Sequence, residues 1–482
     1  MKYRHSHPIN ILEHTSRFLI LLFLPILRAV WELLQETPDF YEWLAGAWMD
    51  LVTCLCILAL GTIAWYRYEY CFTDTGIDMR KGLFLVKRRF LPYRKLSVVS
   101  VEHPFYLRPF GAVRVAADTD GGTFNREDFK ATMHQEDVIL FLQQTSLPFT
   151  DLSEMKRVYL PKNIYIAILS FISSNSLAGV LFVSTLISGA GKLLGEWFEE
   201  MLMDQITTLL RILAFGIPPA AAGLAFLILG GWLVSFLQNL IRHLRFSVTR
   251  QGEQLQIQSG LITRREYRVM IQRINLIELR QSLITKIFGF YSAFIHANGY
   301  GKRKDELSVL MPSCEKEDLS LNIQLLLPEI PFCTPTVRPK LKYLSRFLMP
   351  PLCWIGGVAA AWALAVRFFG SYSDLIHYIG VMMEIPCVWY LLVRIVSFFH
   401  TGVGEREDAY TFRYTYGYRI KTVAVPKKRI VKVSVRRDPF QIMTGCCKLV
   451  ILTYSEGLKR HVIPNLDYEE VKRIMGYQRY CK

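Results

Sequence analysis

Six apolar segments, grouped in three pairs, constrain this chain more than any other feature. They run Phe18–Leu34, Trp43–Tyr66, Ile164–Ile187, Leu209–Leu237, Phe347–Phe369 and Leu375–Phe399. A bilayer core of about 30 Å needs roughly 20 helical residues to cross it, and these segments have that scale with few charges. The first is the weakest, because Arg28 and Glu32 interrupt it; an interfacial hairpin is its alternative. The short links inside the pairs carry Glu36, Asp39, Glu42, Glu196, Glu199, Glu200, Asp204 and Asp374 but only one basic residue, Lys192. The stretches between pairs are dense in Lys and Arg: Arg80–Lys95 alone holds Arg80, Lys81, Lys87, Arg88, Arg89, Arg94 and Lys95, with no acid. Basic residues stay inside. The pattern therefore predicts a multi-pass protein of the cell membrane with both termini cytoplasmic and three cytoplasmic soluble stretches.

Those stretches read as strand after strand. Leu255–Gln258 and Ile430–Val435 alternate apolar and polar, and the runs are broken by turn residues such as Asp120-Gly-Gly122 and Asn298-Gly299. Each ends in a helix-like piece, Glu136–Gln144, Lys316–Leu327 and Tyr468–Tyr477, the last with Asn465 or Asp467 as N-cap. Seven or so short strands and one C-terminal helix are expected in each. The division is a helix pair over 1–66, a soluble domain over 67–160, a second pair over 161–240, a second domain over 241–340, a third pair over 341–399 and a third domain over 400–482. The fold class is α+β, a membrane protein built as three repeats of a transmembrane helix pair followed by a β-sheet domain.

The three domains keep one internal register. A basic–apolar pair recurs as Lys95-Leu96, Arg273-Ile274 and Arg429-Ile430, and sixteen residues after each basic residue stands a glycine: Gly111, Gly289, Gly445. Lys81-Gly82-Leu83 matches Ser259-Gly260-Leu261 upstream. These glycines read as turns that need positive φ or close backbone approach. The third unit departs, with Tyr416-Gly417-Tyr418 one residue out of step, so its first strands are expected to be shorter.

The run KGLFLVKRRFLPYRKLSVVSVEHPFYLRPFG resembles the bacterial pleckstrin-homology-like (PH-like) domain of membrane proteins, formerly a domain of unknown function. QSGLITRREYRVMIQRINLIELRQSLITKIFG looks like the same motif, and VPKKRIVKVSVRRDPFQIMTG is a less complete copy. The whole chain is similar to the long multi-copy branch of that family. The resemblance implies a bent antiparallel sheet closed by a C-terminal helix, a shorter single-domain relative as partner, and a role in envelope protection. It implies little chemistry, since a fold does not carry a function with it.

Three sets of residues are candidates for function. Basic clusters come first: Lys87, Arg88, Arg89, Arg94 and Lys95; Arg264, Arg265, Arg268 and Arg273; Lys427, Lys428 and Arg429. Each cation near an anionic leaflet contributes about 1 kcal/mol, so contact with anionic lipid is expected; orientation without headgroup recognition is the simpler reading. Intramembrane polarity comes second: Arg28, Glu32, Asn175 and Glu384. A carboxylate in mid-bilayer is costly unless paired or protonated, so Glu384 marks either a pathway or a helix–helix contact. The histidines and cysteines come third. His5 and His7, and Cys446 with Cys447, lack the four-ligand spacing of a structural metal site, and the ten cysteines hold no C-x-x-C. No nucleotide, hydrolase or zinc-protease motif is present. No metal and no cofactor is expected. The excess of 57 Lys+Arg over 41 Asp+Glu fits a membrane surface better than nucleic acid, because no reading motif accompanies it. The sequence thus points to a non-enzymatic scaffold or adaptor whose domains bind the inner leaflet, one another in a homo-oligomer, or a partner protein. A transporter or lipid-moving protein is the alternative.

Overall fold

The computed structural model describes residues 3–12, 15, 40–82, 85–119, 127–146, 156–174, 219–300, 308–455 and 457–476. In chain order its elements are β1 (Arg4–His5), α1 (Phe40–Tyr66), β2 (Glu69–Phe72), β3 (Gly76–Lys81), β4 (Lys87–Pro92), β5 (Leu96–His103), β6 (Ala112–Thr119), β7 (Phe129–His134) and α2 (Gln135–Ser146). There follow β8 (Arg157–Tyr159), α3 (Asn163–Ser173), α4 (Pro219–His243), β9 (Ser247–Gln251), β10 (Gln254–Ser259), β11 (Arg264–Met270), β12 (Ile274–Gln281), α5 (Leu283–Ile287), β13 (Phe290–Ala297), β14 (Val309–Glu315) and α6 (Lys316–Leu326). The last third holds α7 (Leu344–Phe368), α8 (Ser373–His400), β15 (Gly402–Glu405), β16 (Ala409–Tyr416), β17 (Arg419–Pro426), β18 (Ile430–Arg436), α9 (Pro439–Thr444), β19 (Cys446–Ser455), β20 (Gly457–Asp467) and α10 (Tyr468–Ile474). Two compact units result. The first comprises residues 1–154, 251–254 and 262–270, and so takes β11 from the second repeat; the rest of the chain forms the second.

In the first unit, β1–β4 form one antiparallel sheet and β5–β7, with β11 beside β5, another. Alternation along the strands turns Tyr70, Ile77, Val99, Val101, Val115 and Phe129 into one core. Helix α2 closes it with Val138 and Phe141, three residues apart and so on one helical face. The third repeat builds the same kind of core in the second unit, with Phe412, Val423, Ile451 and Ile463 from the strands and Val471 from α10. Asp467 caps α10 by accepting from the Glu470 backbone N–H at 3.4 Å.

Each repeat supplies six strands of its own and borrows a seventh contact from the segment that precedes its apolar stretch. Arg4 and His5 pair with Tyr70 and Glu69. Arg157, Val158 and Tyr159 pair with Arg250, Thr249 and Val248. Val337 bridges to Val403. The chain thus returns from each apolar excursion to the strand it left.

Helices α7 and α8 form an antiparallel hairpin turning at Gly370–Tyr372. With their flanking turns they span Leu341–Phe368 and Gly370–His400, 28 and 31 residues, both long and apolar enough to cross a membrane. Gly380 lets the two meet, because a Cβ there would run into the Trp362 ring. Helices α1 and α4 are 27 and 25 residues long, and Phe171 of α3 stacks edge-on against Trp232 of α4 at 4.9 Å. Phe18–Leu34, with Arg28 and Glu32, lies outside the described residues, as do Asn175 and residues 176–187 and 209–218.

The third repeat corrects one expectation. Its first hairpin is longer than its counterparts: β16 and β17 have eight residues each, against six in β3 and β4. The displaced Gly417, at φ 57°, forms a tight turn with Tyr418, so that Tyr416 already pairs with Arg419.

Gly111, Gly289 and Gly445 adopt φ of 61°, 74° and 75°. No heavy atom lies within 4 Å of a Cβ built at Gly111 or Gly289, so what these positions require is backbone freedom and not space. Replacing Gly289 by Ala should therefore cost about 1–2 kcal/mol, and replacing it by Asn distinctly less, in denaturant unfolding of the purified protein.

Candidate functional site at the junction of the second and third domains

Successive repeats are joined by their edge strands. Within the first unit, β5 pairs with β11, so that Val99 faces Arg268 and Glu102 faces Arg265. Within the second unit, β12 pairs with β17, so that Ile277 faces Ala424 and Arg280 faces Lys421. The two registers are the same. In both, the residue four after one basic marker (Lys95, Arg273) faces the residue five before the next (Arg273, Arg429). The pairing makes β14-β13-β12-β17-β16-β15 one six-stranded sheet shared by two repeats.

At the second junction one carboxylate gathers the neighbouring charges. Glu278 of β12 is fully buried. Its Oε1 lies 2.7 Å from both Arg280 Nε and Lys421 Nζ, and its Oε2 lies 2.8 Å from Lys459 Nζ and 3.0 Å from His296 Nε2. Arg280 and His296 belong to the second repeat, Lys421 and Lys459 to the third, so the two are cross-tied through a single side chain. Burial pushes the Glu278 carboxyl up, but the His296 hydrogen bond and the charges of Arg280 and Lys459 hold it well below the usual range. Burial, with Lys459 and Arg280, brings His296 down to about 4 against the pull of Glu278. The imidazole is therefore neutral at pH 7, with its Nε2 3.0 Å from both Glu278 Oε2 and Lys459 Nζ. Beside it, His461 is buried between Tyr414 and Thr453 at 2.7 and 2.9 Å, and burial lowers it to about 3. The arrangement binds and orients; it is a latch between domains.

The first junction is simpler. Glu102 is buried and lies 3.3 Å from Arg114 and 3.6 Å from Arg265. Arg268 donates to Glu266 at 2.8 Å. Of the basic clusters singled out in the sequence, Arg264, Arg265 and Arg268 thus lie in a strand that joins two domains. Arg88 is tied to Asp78 and holds that carboxyl low. Lys427 is 2.8 Å from Glu405, Arg429 donates to the Gln272 carbonyl, and Arg273 is half-buried in the turn between β11 and β12. Lys87, Arg89, Arg94, Lys95 and Lys428 are exposed. Glu384 sits in α8 two residues before Pro386; both its carboxylate oxygens are occluded and have no hydrogen-bond partner among the described residues. Glu278 was not singled out in the sequence. The signal was a charge at an inward position of INLIELRQ, flanked by Ile277 and Leu279.

Three stretches, residues 20–160, 208–316 and 345–480, match the bacterial PH domain family. The chain belongs to that family. Each matched stretch takes in at least one apolar segment together with strands of a sheet domain. One curated relative is the UPF0699 transmembrane protein YdbT of Bacillus subtilis (strain 168), 23% identical over 347 residues that cover 66% of this chain and 69% of that protein. No solved structure matches.

Breaking the latch has two measurable consequences. Glu278→Gln leaves several buried cations without their counter-charge and should cost about 3–5 kcal/mol. Folded His296 stays neutral down to about pH 4, whereas in the unfolded chain it takes up a proton near pH 6.5. The unfolded state therefore binds more protons between these limits, and stability falls as pH drops from 6.5 to 4. His296→Gln should reduce the slope of unfolding free energy against pH in that window by about one proton, read by tryptophan fluorescence during denaturant titration.

Proposed function

We propose that the protein is a non-enzymatic membrane scaffold whose PH-like domains add to one another edge to edge and offer the last edge of the series to a partner protein. The observation that carries this reading is the junction used twice in one register. An edge strand exposes a row of backbone donors and acceptors that another strand can complete. After β5 and β12 have been used, their counterpart β18 is paired with β19 along one side, and Val431 on it is exposed. Its partner is a strand of another PH-like domain.

Charge selects among such strands. A second copy of this chain would bring β4, itself an edge, onto β18 in the same register, and Lys87 would then face Arg436. Like charges directly opposite are destabilising. At the second junction Arg280 faces Lys421 in the same way, but Glu278 joins them; the counterpart of Glu278 in β18 is Ser434. The favoured partner therefore carries a carboxylate opposite Arg436, as Glu102 does opposite Arg265. This makes a separate PH-like chain a better fit than self-association. The exposed Lys87, Arg89, Lys95 and Lys428 suit contact with an anionic inner leaflet. The return of each apolar excursion to its own sheet supports helix hairpins with both chain ends on one side, in keeping with a role at the cell envelope.

Hydrogen exchange on the protein purified in native lipid patches tests this. Backbone amides of 430–436 should slow when a stoichiometric PH-like companion is bound, and Arg436→Glu should release the companion while membrane abundance and unfolding midpoint stay unchanged. Amides that exchange equally with and without the companion would sink the reading. A transporter or lipid-moving role is favoured by one observation, the occluded and unpartnered Glu384. Loss of the cellular phenotype on Glu384→Gln at normal abundance, with Arg436→Glu silent, would select it.

A further inference from the structure

A second feature of the same unit is independent of the β18 edge. A cavity of about 470 Å³ opens beside the β12–β17 junction, between α5, α6 and the end of α8. That volume lies in the range of about 300–1,000 Å³ typical of small-ligand sites. One wall is apolar, formed by Leu279, Leu319, Ile323, Leu327 and Phe332. The other is cationic: Lys286, Lys316, Arg406 and Arg413 line it, and among the described residues no Asp or Glu does.

The inner pair is the informative one. His400 places Nε2 3.2 Å from the Lys421 carbonyl, which can only accept, so Nε2 carries the proton. Its Nδ1 is then a lone pair, 3.3 Å from Lys286 Nζ, and accepts from the ammonium. Lys286 thus spends one N–H on a neutral ring, and no carboxylate among the described residues balances its charge. Arg413 has a buried Nε with no hydrogen-bond partner among the described residues. Burial and the Arg413 charge lower Lys286, and burial and the Arg338 charge lower Arg413; no carboxylate acts on either. Half-buried cations that repel one another are costly without an anion between them. The place of the cavity narrows the choice of anion. His400 is the last residue of a helix long and apolar enough to cross a membrane, so the site lies at the end of a span, with apolar and cationic walls side by side.

We propose that this cavity binds a phosphoryl anion, with Lys286 and Arg413 taking its oxygens and the α6 wall taking the apolar group next to it. A phospholipid headgroup with its glycerol and a soluble phosphate ester share that chemistry. The guanidinium offers a fork suited to phosphate oxygens, and Lys286 adds a point charge.

The full-length protein, placed in discs of phosphatidylcholine alone or mixed with phosphatidylglycerol, gives the test, with bound lipid counted by native mass spectrometry. Wild type should retain about one phosphatidylglycerol per chain and melt several degrees higher in the mixed discs. Lys286→Met and Arg413→Met should each lower retention at least tenfold, roughly the effect of losing one charge-assisted hydrogen bond. In phosphatidylcholine alone the same variants should melt no lower than wild type, because they relieve repulsion; this separates lost binding from lost folding. Lys87→Met, outside the cavity, should retain lipid as wild type does. Inorganic phosphate or glycerol 3-phosphate that stabilises wild type but not Lys286→Met, with phosphatidylglycerol without effect, would assign the site to a soluble ester. Retention unchanged in both cavity variants, or no response to lipid or to either soluble anion, would overturn the proposal.

Discussion

An edge strand presents a row of unpaired backbone donors and acceptors, and at two junctions this protein covers such edges by letting one domain complete the next. The β5–β11 and β12–β17 pairs do more than tie neighbours together. They fix which residues stand opposite, because a slip of one position would turn every side chain to the other face. The register in turn sets Glu102 before Arg265, and sets Glu278 where Arg280, Lys421, Lys459 and His296 converge. Hydrogen bonding joins the domains, and the buried charges hold the alignment that the pairing sets.

The two junctions solve the same electrostatic problem differently. Glu102 meets a cation directly across the strands. At the second junction the position opposite Lys421 is itself basic, and the acid has moved two residues along the strand to Glu278, with cations from both domains around it. A single carboxylate among three cations and a neutral histidine leaves that region positive, and the same excess continues into the cavity that Lys286 and Arg413 line. A buried ion cluster of this kind is a weak source of net stability but a strong source of alignment, which suits a molecule whose domains must keep one order.

Much of this was legible in the amino-acid sequence because the repeat is marked by residues that have few substitutes. Gly111, Gly289 and Gly445 recur because a left-handed turn follows each second-sheet strand, and the basic markers recur because each opens such a strand. The apolar hairpin Phe347–Phe399 could be read from length and charge alone. What the sequence hid was relational. Arg264, Arg265 and Arg268 read as a basic cluster, but that their strand pairs with β5 is not visible there, and strand composition does not say whether an edge faces solvent or another domain. Glu278 was hidden for a related reason: its partners come from β13, β17 and β20, up to 181 residues away. The longer hairpin of the third repeat is hidden because a displaced Gly417 resembles a lost match, whereas it makes a tighter turn.

The return of the chain to the strand it left has a consequence for biosynthesis. Tyr70 cannot meet Arg4, nor Thr249 meet Val158, nor Val403 meet Val337, until the intervening apolar stretch has left the ribosome and found its place. Each sheet domain is therefore closed only after the apolar stretch that interrupts it has been made. A chain that stops short of that point leaves its domain open at the first strand, with an unsealed core exposed to proteases.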